Sequence, residues 1–320
     1  MSDPLVAGTA FVLDLVLGDP PNPLHPVRLI ARWSLGWERV LFACGLGGYL
    51  GGFLHTVLVL AGTLAAWWFP HDWLADMPWG QWLWDLWWAV SLCCLRDLLD
   101  HGRAVAKPLA AGDLSAARAA IARLVGRDTD TMDAPAVRRA TLESLSENLT
   151  DGVLTPFWAL CLFGVPGLIV VKVLSTLDSL VGYKTERYLR FGFWGARGDD
   201  LVHWIPARLS PLVVAAAAAL CGGHPGSAVT AAWRWHGLLP SPNSGWAEAA
   251  LAGALRCRLI GPIRKGGVLV TELWMGDPAW TADPGDDGLR RGLRIVLVAG
   301  LIAGLVGVLF AMVGMHPLQG

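Results

Sequence analysis

Three acidic side chains spaced four residues apart, Glu143, Glu147 and Asp151, form the group in this 320-residue sequence that is best suited to chemistry. On a continuous α-helix they would lie along one face, about 6 Å from one another. Like charges at this spacing weaken a helix by roughly 0.2–0.5 kcal/mol per pair, so a bound cation or basic ligand would explain them better. Their oxygen atoms suit Mg²⁺ or a substrate amine. The alternative is a solvated helix face paired with Arg138 and Arg139.

A second polar group follows the next apolar run and combines an acid with basic side chains. Asp178 is surrounded in sequence by leucine and valine, where a carboxylate without a partner is costly. Lys184 and Arg187, which follow it, are natural partners for phosphate. The alternative is a basic cluster that contacts lipid headgroups at the membrane surface. The spacing alone supports both interpretations equally.

A third group places two adjacent acids among basic side chains. Asp199 and Asp200 lie between Arg197 and Arg208, with His203 close by. Adjacent carboxylates beside arginines suit a site that binds a metal ion together with phosphate. A charged loop between two helices explains the same pattern equally well.

The N-terminal segment with residues 14–28 combines several prolines with side chains that bind metals and phosphate. The prolines and Gly18 force an irregular backbone directly after an apolar segment. Asp14 and Asp19 suit a metal ion, and His25 and Arg28 suit phosphate. A rigid turn at the membrane interface is the alternative.

A fifth segment, residues 241–248, carries Ser241 and Asn243, which suit a bound ligand. The plainer interpretation is a helix start, in which Ser244 caps a helix that contains Glu248. We prefer this second interpretation when the residues are considered alone.

Composition sets the class of protein. Hydrophobic residues make up 54% of the chain and charged residues only 16%, which is typical of an integral membrane protein. The net charge of −1 argues against nucleic-acid binding. The six cysteines form no CxxC pair and indicate small buried side chains. Because strand alternation is not sustained anywhere, we predict an all-α polytopic membrane protein with several transmembrane helices.

The apolar runs predict how this protein crosses the membrane. No Lys or Arg occurs from Val40 to Leu95, whereas basic residues lie on both sides of that stretch, which indicates a hairpin with cytoplasmic flanks. Glycines within this stretch, at Gly48 and Gly52, have the spacing of close helix packing. Two shorter runs predict broken or re-entrant segments, one of them interrupted at Pro166. The clearest spans are 40–69, 79–95 and 293–315, and the broken ones are 152–173 and 209–222.

Residues 96–150 change character and predict a cytosolic helical insert. Asp113 is placed to cap a helix with an apolar stripe that starts at Leu114. We treat the whole chain, 1–320, as one membrane-embedded domain that carries this insert.

Several long motifs occur in an order that resembles the adenosylcobinamide-phosphate synthase family of cobalamin biosynthesis, the CobD/CbiB type. Departures from the family pattern are Ser175 and His203, where asparagine is expected, and Arg264 and Lys265, where aromatic residues are expected. We therefore leave Ser175 and His203 out of the candidate site. The matching stretches are 14–20, 25–28, 125–129, 143–152 with Pro156, 166–167, 176–184, 199–200, 206–209, 241–245 and 248–255.

The resemblance implies an ATP-dependent ligase in the cytoplasmic (inner) membrane, with Mg²⁺ as cofactor and its active site facing the cytoplasm. It would join aminopropanol phosphate to a propionate carboxylate of adenosylcobyric acid through an acyl phosphate. The bilayer and other membrane-bound enzymes of the late pathway are the expected partners. A corrinoid or cobalt transporter and a non-catalytic scaffold of late assembly are the alternatives.

The resemblance supports the importance of the candidate site residues, and we assign them to three roles as hypotheses. Catalytic roles go to Glu147, Asp178 and Asp199. Substrate and phosphate binding goes to His25, Arg28, Asn148, Tyr183, Lys184, Arg187, Arg197, Arg208, Ser241 and Asn243. Metal binding goes to Asp14, Asp19, Glu143, Glu147, Asp151 and Asp200.

Overall fold

A computed structural model describes residues 3–18 and 25–314 of the chain. In these residues the backbone is mostly helical, with a π-helical segment at Leu149–Leu154 and a 3-10 turn at His236–Leu238. The α-helices are α1 (Pro4–Leu17), α2 (Pro26–Ala43), α3 (Tyr49–Trp73), α4 (Gly80–Leu92), α5 (Leu95–Ala110), α6 (Leu114–Ile121), α7 (Ala134–Asn148), α8 (Thr155–Val181), α9 (Phe193–Val202), α10 (Trp204–Leu220), α11 (Pro225–Trp235), α12 (Ser244–Leu255) and α13 (Gly285–Gly314).

Four short strands are the only sheet structure in the described residues. They form two antiparallel pairs, one joining the first strand to the fourth and one joining the second to the third. The predicted all-α class is therefore confirmed. The strands are β1 (Leu259–Ile260), β2 (Ile263–Lys265), β3 (Val268–Thr271) and β4 (Trp274–Met275).

Three helical segments of the described chain are long and apolar enough to cross a membrane: Tyr49–Trp73, Ala134–Val181 and Gly285–Val313. A fourth is possible if α9 and α10 together make one broken span. This confirms a polytopic membrane fold with broken segments. The break predicted near Pro166 is present, because Gly164 interrupts α8 with a φ of 70°.

The predicted span 40–69 is wrong at its start. The helix α2 ends at Ala43, Gly45 takes a left-handed φ of 75°, and α3 begins only at Tyr49. Close packing by glycine is nevertheless present, because a Cβ on Gly52 would lie 2.0 Å from the carbonyl oxygen of Phe191. The predicted span 79–95 is a helix of only 13 residues, α4, which is short for a membrane crossing.

The described residues divide into two compact units. The first unit takes its residues from Met1–Cys94, Thr155–His203 and Gly304–Gly320. Its core consists of apolar residues from α1, α2, α3, α4 and α8, among them Val59, Leu92, Leu160 and Leu168. The loop between α8 and α9 packs through Phe191, which is buried against Phe42 and Leu41.

The second unit consists of Leu95–Leu154 and Trp204–Ala303. Within the predicted insert 96–150, the structure has α5, α6 and α7, and the Asp113 carboxylate accepts the Ala116 N–H at 2.9 Å as predicted for a cap. The helix α12 packs against α7, α10 and α11. Small residues make this close approach possible, since a Cβ on Gly253 would lie 2.1 Å from the Ser227 carbonyl oxygen. The prediction of a single membrane-embedded domain stays a prediction.

Candidate active site

Glu143 is a buried member of the acidic ladder, the name we give to Glu143, Glu147 and Asp151. Both of its carboxylate oxygens have partners in the second unit. Oε1 accepts the backbone N–H of Ile260 at 2.8 Å, and Oε2 accepts from the Arg127 guanidinium. Arg139, the partner suggested by helical spacing, instead donates to the carbonyl oxygens of Ala282 at 2.7 Å and Ile260 at 3.3 Å. The pairing with Arg139 that the spacing suggested is therefore wrong.

The ladder does not follow one α-helical face. The helix α7 ends at Asn148, and the chain continues as the π-helical segment Leu149–Leu154, which contains Asp151. A π-helical turn is wider than an α-helical turn, so side chains four residues apart no longer align. Glu147, in the last turn of α7, is exposed, and Asp151 is partly buried. Turns of this kind are frequent at functional sites.

Glu248 joins these acids from α12. Its side chain is 5% exposed, in a helix whose residues from Ser244 to Ala254 are all buried. Burial raises the pKa of the Glu248 carboxyl well above its usual range, and the charges of Glu147, Glu143 and Asp151 raise it further. Only the Arg127 charge, among the groups acting on it, lowers that pKa. The second unit thus gathers four carboxyl groups around one guanidinium.

Arg208, Ser241 and Asn243 lie together in the same unit. The Arg208 guanidinium donates to the Trp204 carbonyl oxygen at 2.7 Å and to Asn243 Oδ1 at 3.4 Å. It lies over the Trp204 ring, 4.1 Å from the ring centre. The Ser241 hydroxyl accepts the N–H groups of Asn243 and Ser244 at 3.2 and 3.3 Å. The cap predicted at Ser244 is wrong, because Ser244 is the first helical residue and Asn243 precedes it as the N-cap.

Asn148, the other predicted binding residue of this unit, is exposed at the end of α7. Its side-chain amide donates to the Ser144 carbonyl oxygen at 2.8 Å. This contact holds the amide against its own helix.

In the first unit, Asp199 is held by the two residues that the sequence analysis set aside. The Ser175 hydroxyl donates to Asp199 Oδ1 at 2.7 Å, and His203 Nδ1 lies 3.1 Å from the same oxygen. Asp178, partly buried on α8, interacts electrostatically with Asp199, Asp200 and His203. The structure therefore places Asp178 on α8 and Asp199 and Asp200 on α9, where their charges interact.

Basic residues lie beside Asp200. Arg197 donates to Asp200 Oδ2 at 3.1 Å, and the Lys184 charge acts on the same carboxylate. Tyr183 is exposed, in the loop that follows α8. Arg187, from the same loop, is instead paired with Glu38 of α2 at 2.9 Å. Its guanidinium is thus engaged with an acid that the sequence analysis did not select.

The N-terminal candidates occupy the ends of α1 and α2. Asp14 is 1% exposed on α1, and its charge and that of Lys172 both act on the buried thiol of Cys93. His25 is the N-cap of α2, and Arg28 is exposed in the first turn of that helix. Asp19 lies outside the described residues.

Among residues 3–18 and 25–314, no group of three or more His, Cys, Asp and Glu side chains is arranged to hold a metal ion. The predicted metal ligands stay a prediction.

The sequence analysis left out five residues that interact with members of the site. Four of them make direct contacts, namely Glu38, Arg127, Ser175 and His203. The fifth, Glu248, interacts electrostatically with Glu143, Glu147 and Asp151. For Glu248 a signal was available, because it is the one acid in an alanine- and glycine-rich helix. Arg127 and Glu38 reach their partners only in the folded protein, so no spacing rule predicts these contacts.

Comparison with known proteins shows which family this chain resembles. A family model described as "CobD/Cbib protein" matches residues 7–296. Proteins named "Cobalamin biosynthesis protein CobD" are similar over nearly their whole length. The one from Klebsiella pneumoniae is 37% identical over 95% of this chain and 97% of its own. Those from Rhodobacter capsulatus and Pelobacter propionicus are 41% and 39% identical, over 94% and 99% of this chain and 96% and 98% of their own. No solved structure matches the chain.

Proposed function

Because this chain belongs to the CobD/Cbib family, whose similar members are named as cobalamin biosynthesis proteins, we propose that it is an ATP-dependent acid–amine ligase of that pathway. The proposed substrates are adenosylcobyric acid and aminopropanol phosphate, and the proposed product is adenosylcobinamide phosphate. We further propose that it works in the cytoplasmic membrane with its site facing the cytoplasm, where ATP is available. Late enzymes of the pathway are proposed partners.

The observation that carries the proposal is the acidic group of the second unit. Glu147 is exposed and Glu248 is buried, and the charges of Glu147, Glu143 and Asp151 act on Glu248. A protonated amine is a cation and offsets this excess of acids. Because the Arg127 guanidinium is already bound to Glu143, a bound ammonium would supply a second positive charge to this group of acids. We therefore assign Glu147 to bind the substrate ammonium.

The amine becomes a nucleophile only after it loses a proton. A carboxylate near the bound ammonium takes this proton most effectively when its pKa is close to the working pH. Burial shifts the pKa of Glu248 in that direction. Glu147 and Glu248 belong to the same group of acids, so the two carboxyls together suit proton removal.

The basic group of the first unit suits phosphate. Lys184 and Arg197 place positive charge beside Asp200, and Asp178 and Asp199 add oxygen atoms. Mg²⁺ usually binds through one or two carboxylates together with substrate phosphates, so this donor set fits it without a cluster of three protein ligands. Asp199 and Asp200 would hold the ion. When bound, it would neutralise charge on the phosphate groups.

The reaction needs an activated carboxylate, because a free carboxylate is a poor electrophile. Transfer of the γ-phosphoryl group of ATP to the propionate oxygen forms an acyl phosphate and releases ADP. Attack by the amine then forms the amide bond and expels inorganic phosphate. Lys184 and Arg197 stabilise charge that develops on the transferred group.

The test is ligation by purified protein in detergent with adenosylcobyric acid, aminopropanol phosphate, ATP and Mg²⁺, followed by mass spectrometry. We expect ATP-dependent amide formation by the wild type and its loss in Glu147→Ala and Asp178→Ala. The matched control is Glu186→Gln, which neutralises an exposed acid of the loop after α8. Absence of the amide with wild-type protein, or full activity in both alanine variants, would refute the proposal.

A further inference from the structure

Glu38 is a buried acid on α2 that no part of the proposed reaction uses. Its side chain is 6% exposed, which is costly for a carboxylate unless donors surround it. All of its observed donors reach one oxygen, Oε1, and come from one loop. Arg187 donates through Nη2 at 2.9 Å and Nε at 3.3 Å, and the Tyr188 hydroxyl donates at 2.9 Å.

The helix α2 offers Arg187 a second contact one turn further on. The Arg187 guanidinium lies 4.2 Å from the centre of the Phe42 ring, four residues after Glu38. A carboxylate followed by an aromatic ring on one helix face matches the flat, charged guanidinium in both charge and shape. Half of the Arg187 side chain stays exposed, so this side chain does not pack into the core. Its contacts instead hold the loop against α2.

The ends of the same loop are fixed by close backbone contacts. A Cβ on Gly182 would lie 2.1 Å from Asp178 Oδ1, and a Cβ on Gly192 would lie 1.8 Å from the Val181 carbonyl oxygen. Phe191 is buried against Phe42, with the ring centres 4.8 Å apart. With both ends fixed, the Glu38 contact determines where the middle of the loop lies.

The part of the loop that stays exposed carries the candidate phosphate ligand. The residues from Tyr183 to Glu186 are all exposed, and Lys184 within them acts on Asp200. We propose that Glu38 is a positioning residue, which holds Arg187 and Tyr188 so that Lys184 stays beside Asp200 to receive substrate phosphate. This inference rests on the proposed function for the identity of the phosphate-bearing substrate.

Steady-state kinetics of Glu38→Gln test the inference. We expect the KM for ATP or for aminopropanol phosphate to rise by roughly tenfold or more, since a displacement of about 1 Å can cost up to about 100-fold, with kcat changed far less. Glu38→Asp, which restores the charge, should recover part of the loss. Glu186→Gln, on the same loop and outside the contact, should behave as wild type. A lower melting temperature with both KM values unchanged would overturn the inference.

Limited trypsin digestion provides a measurement that does not depend on ligation. Cleavage after Lys184 should be at least about fivefold faster in Glu38→Gln, because weakening a local contact raises the open population by such factors. Inorganic phosphate should slow cleavage of the wild type and not of the variant. If the wild type forms no amide, the proposed function fails, but the digestion experiment still tests whether Glu38 positions the loop. Equal cleavage rates, or equal protection by phosphate, would overturn it.

Discussion

Replacing Glu143 by alanine is expected to destabilise the protein strongly, whereas replacing Glu147 is not. The change removes the partner of Arg127 in a pair whose side chains are 13% and 8% exposed, which costs about 3–5 kcal/mol. It also leaves the Ile260 N–H without its acceptor, which costs about 1–3 kcal/mol. Ile260 has a left-handed φ of 67°, which is unfavourable for a β-branched residue and needs such support.

Thermal unfolding in detergent, followed by tryptophan fluorescence, measures this contrast. The 18 tryptophans are spread widely along the chain, so their emission reports on the unfolding of most of the protein. Glu143→Ala should lower the melting temperature by roughly 5 °C or more. Glu147→Ala should change stability by no more than about 0.5 kcal/mol, because the side chain is exposed, while abolishing ligation.

A double variant separates lost charge from lost hydrogen bonding. Glu143→Gln keeps an acceptor for Ile260 but leaves the Arg127 charge buried without its partner. Adding Arg127→Met removes that charge, so the double variant should be more stable than Glu143→Gln alone. An unchanged melting temperature in Glu143→Ala together with lost activity would refute the reasoning, because Glu143 would then act on the substrate and not on the fold.

Two further predictions concern stability. Because burial raises the pKa of Glu248 in the folded protein, Glu248 stabilises the fold most below the unfolded pKa near about 4.3, and this contribution falls as the pH rises from there towards the folded pKa. The melting temperature of Glu248→Gln should therefore rise relative to that of the wild type from pH 5 to pH 7, and parallel curves would contradict a raised pKa for Glu248. In a separate test of packing, Gly192→Ala should lower the melting temperature, because the new alanine Cβ would lie 1.8 Å from the Val181 carbonyl oxygen. The control Gly226→Ala, with no atom within 4 Å, should be neutral or slightly stabilising, and equal behaviour of the two would disprove the packing argument.

Local features of this fold follow from the sequence. The Asp113 cap and the break near Pro166 depend on neighbouring residues, and both are present. The start of α3 was missed because the glycine run from Gly45 to Gly48 is apolar on a hydropathy scale, although its backbone leaves the helix. Hydropathy measures transfer to an apolar phase and carries no information on φ.

The candidate site was predicted only in part. Residue chemistry selected Asp178 and Asp199 from separate segments of the chain, and in the structure Asp199 acts electrostatically on Asp178. Spacing also suggested Arg139 as the partner of Glu143, whereas the fold supplies Arg127 from the loop before α7. Pairs such as Glu38 and Arg187, 149 residues apart, depend on tertiary packing, which no local rule specifies.

The most direct test of the central claim follows the oxygen atom that leaves the substrate carboxylate. Adenosylcobyric acid labelled with heavy oxygen in its reacting propionate is incubated with the protein, ATP and aminopropanol phosphate, and the released phosphate is examined by mass spectrometry. Ligation through an acyl phosphate predicts one heavy oxygen in inorganic phosphate for each amide formed, with ADP as the other product. Amide formation with unlabelled phosphate, or without ATP consumption, would contradict the account.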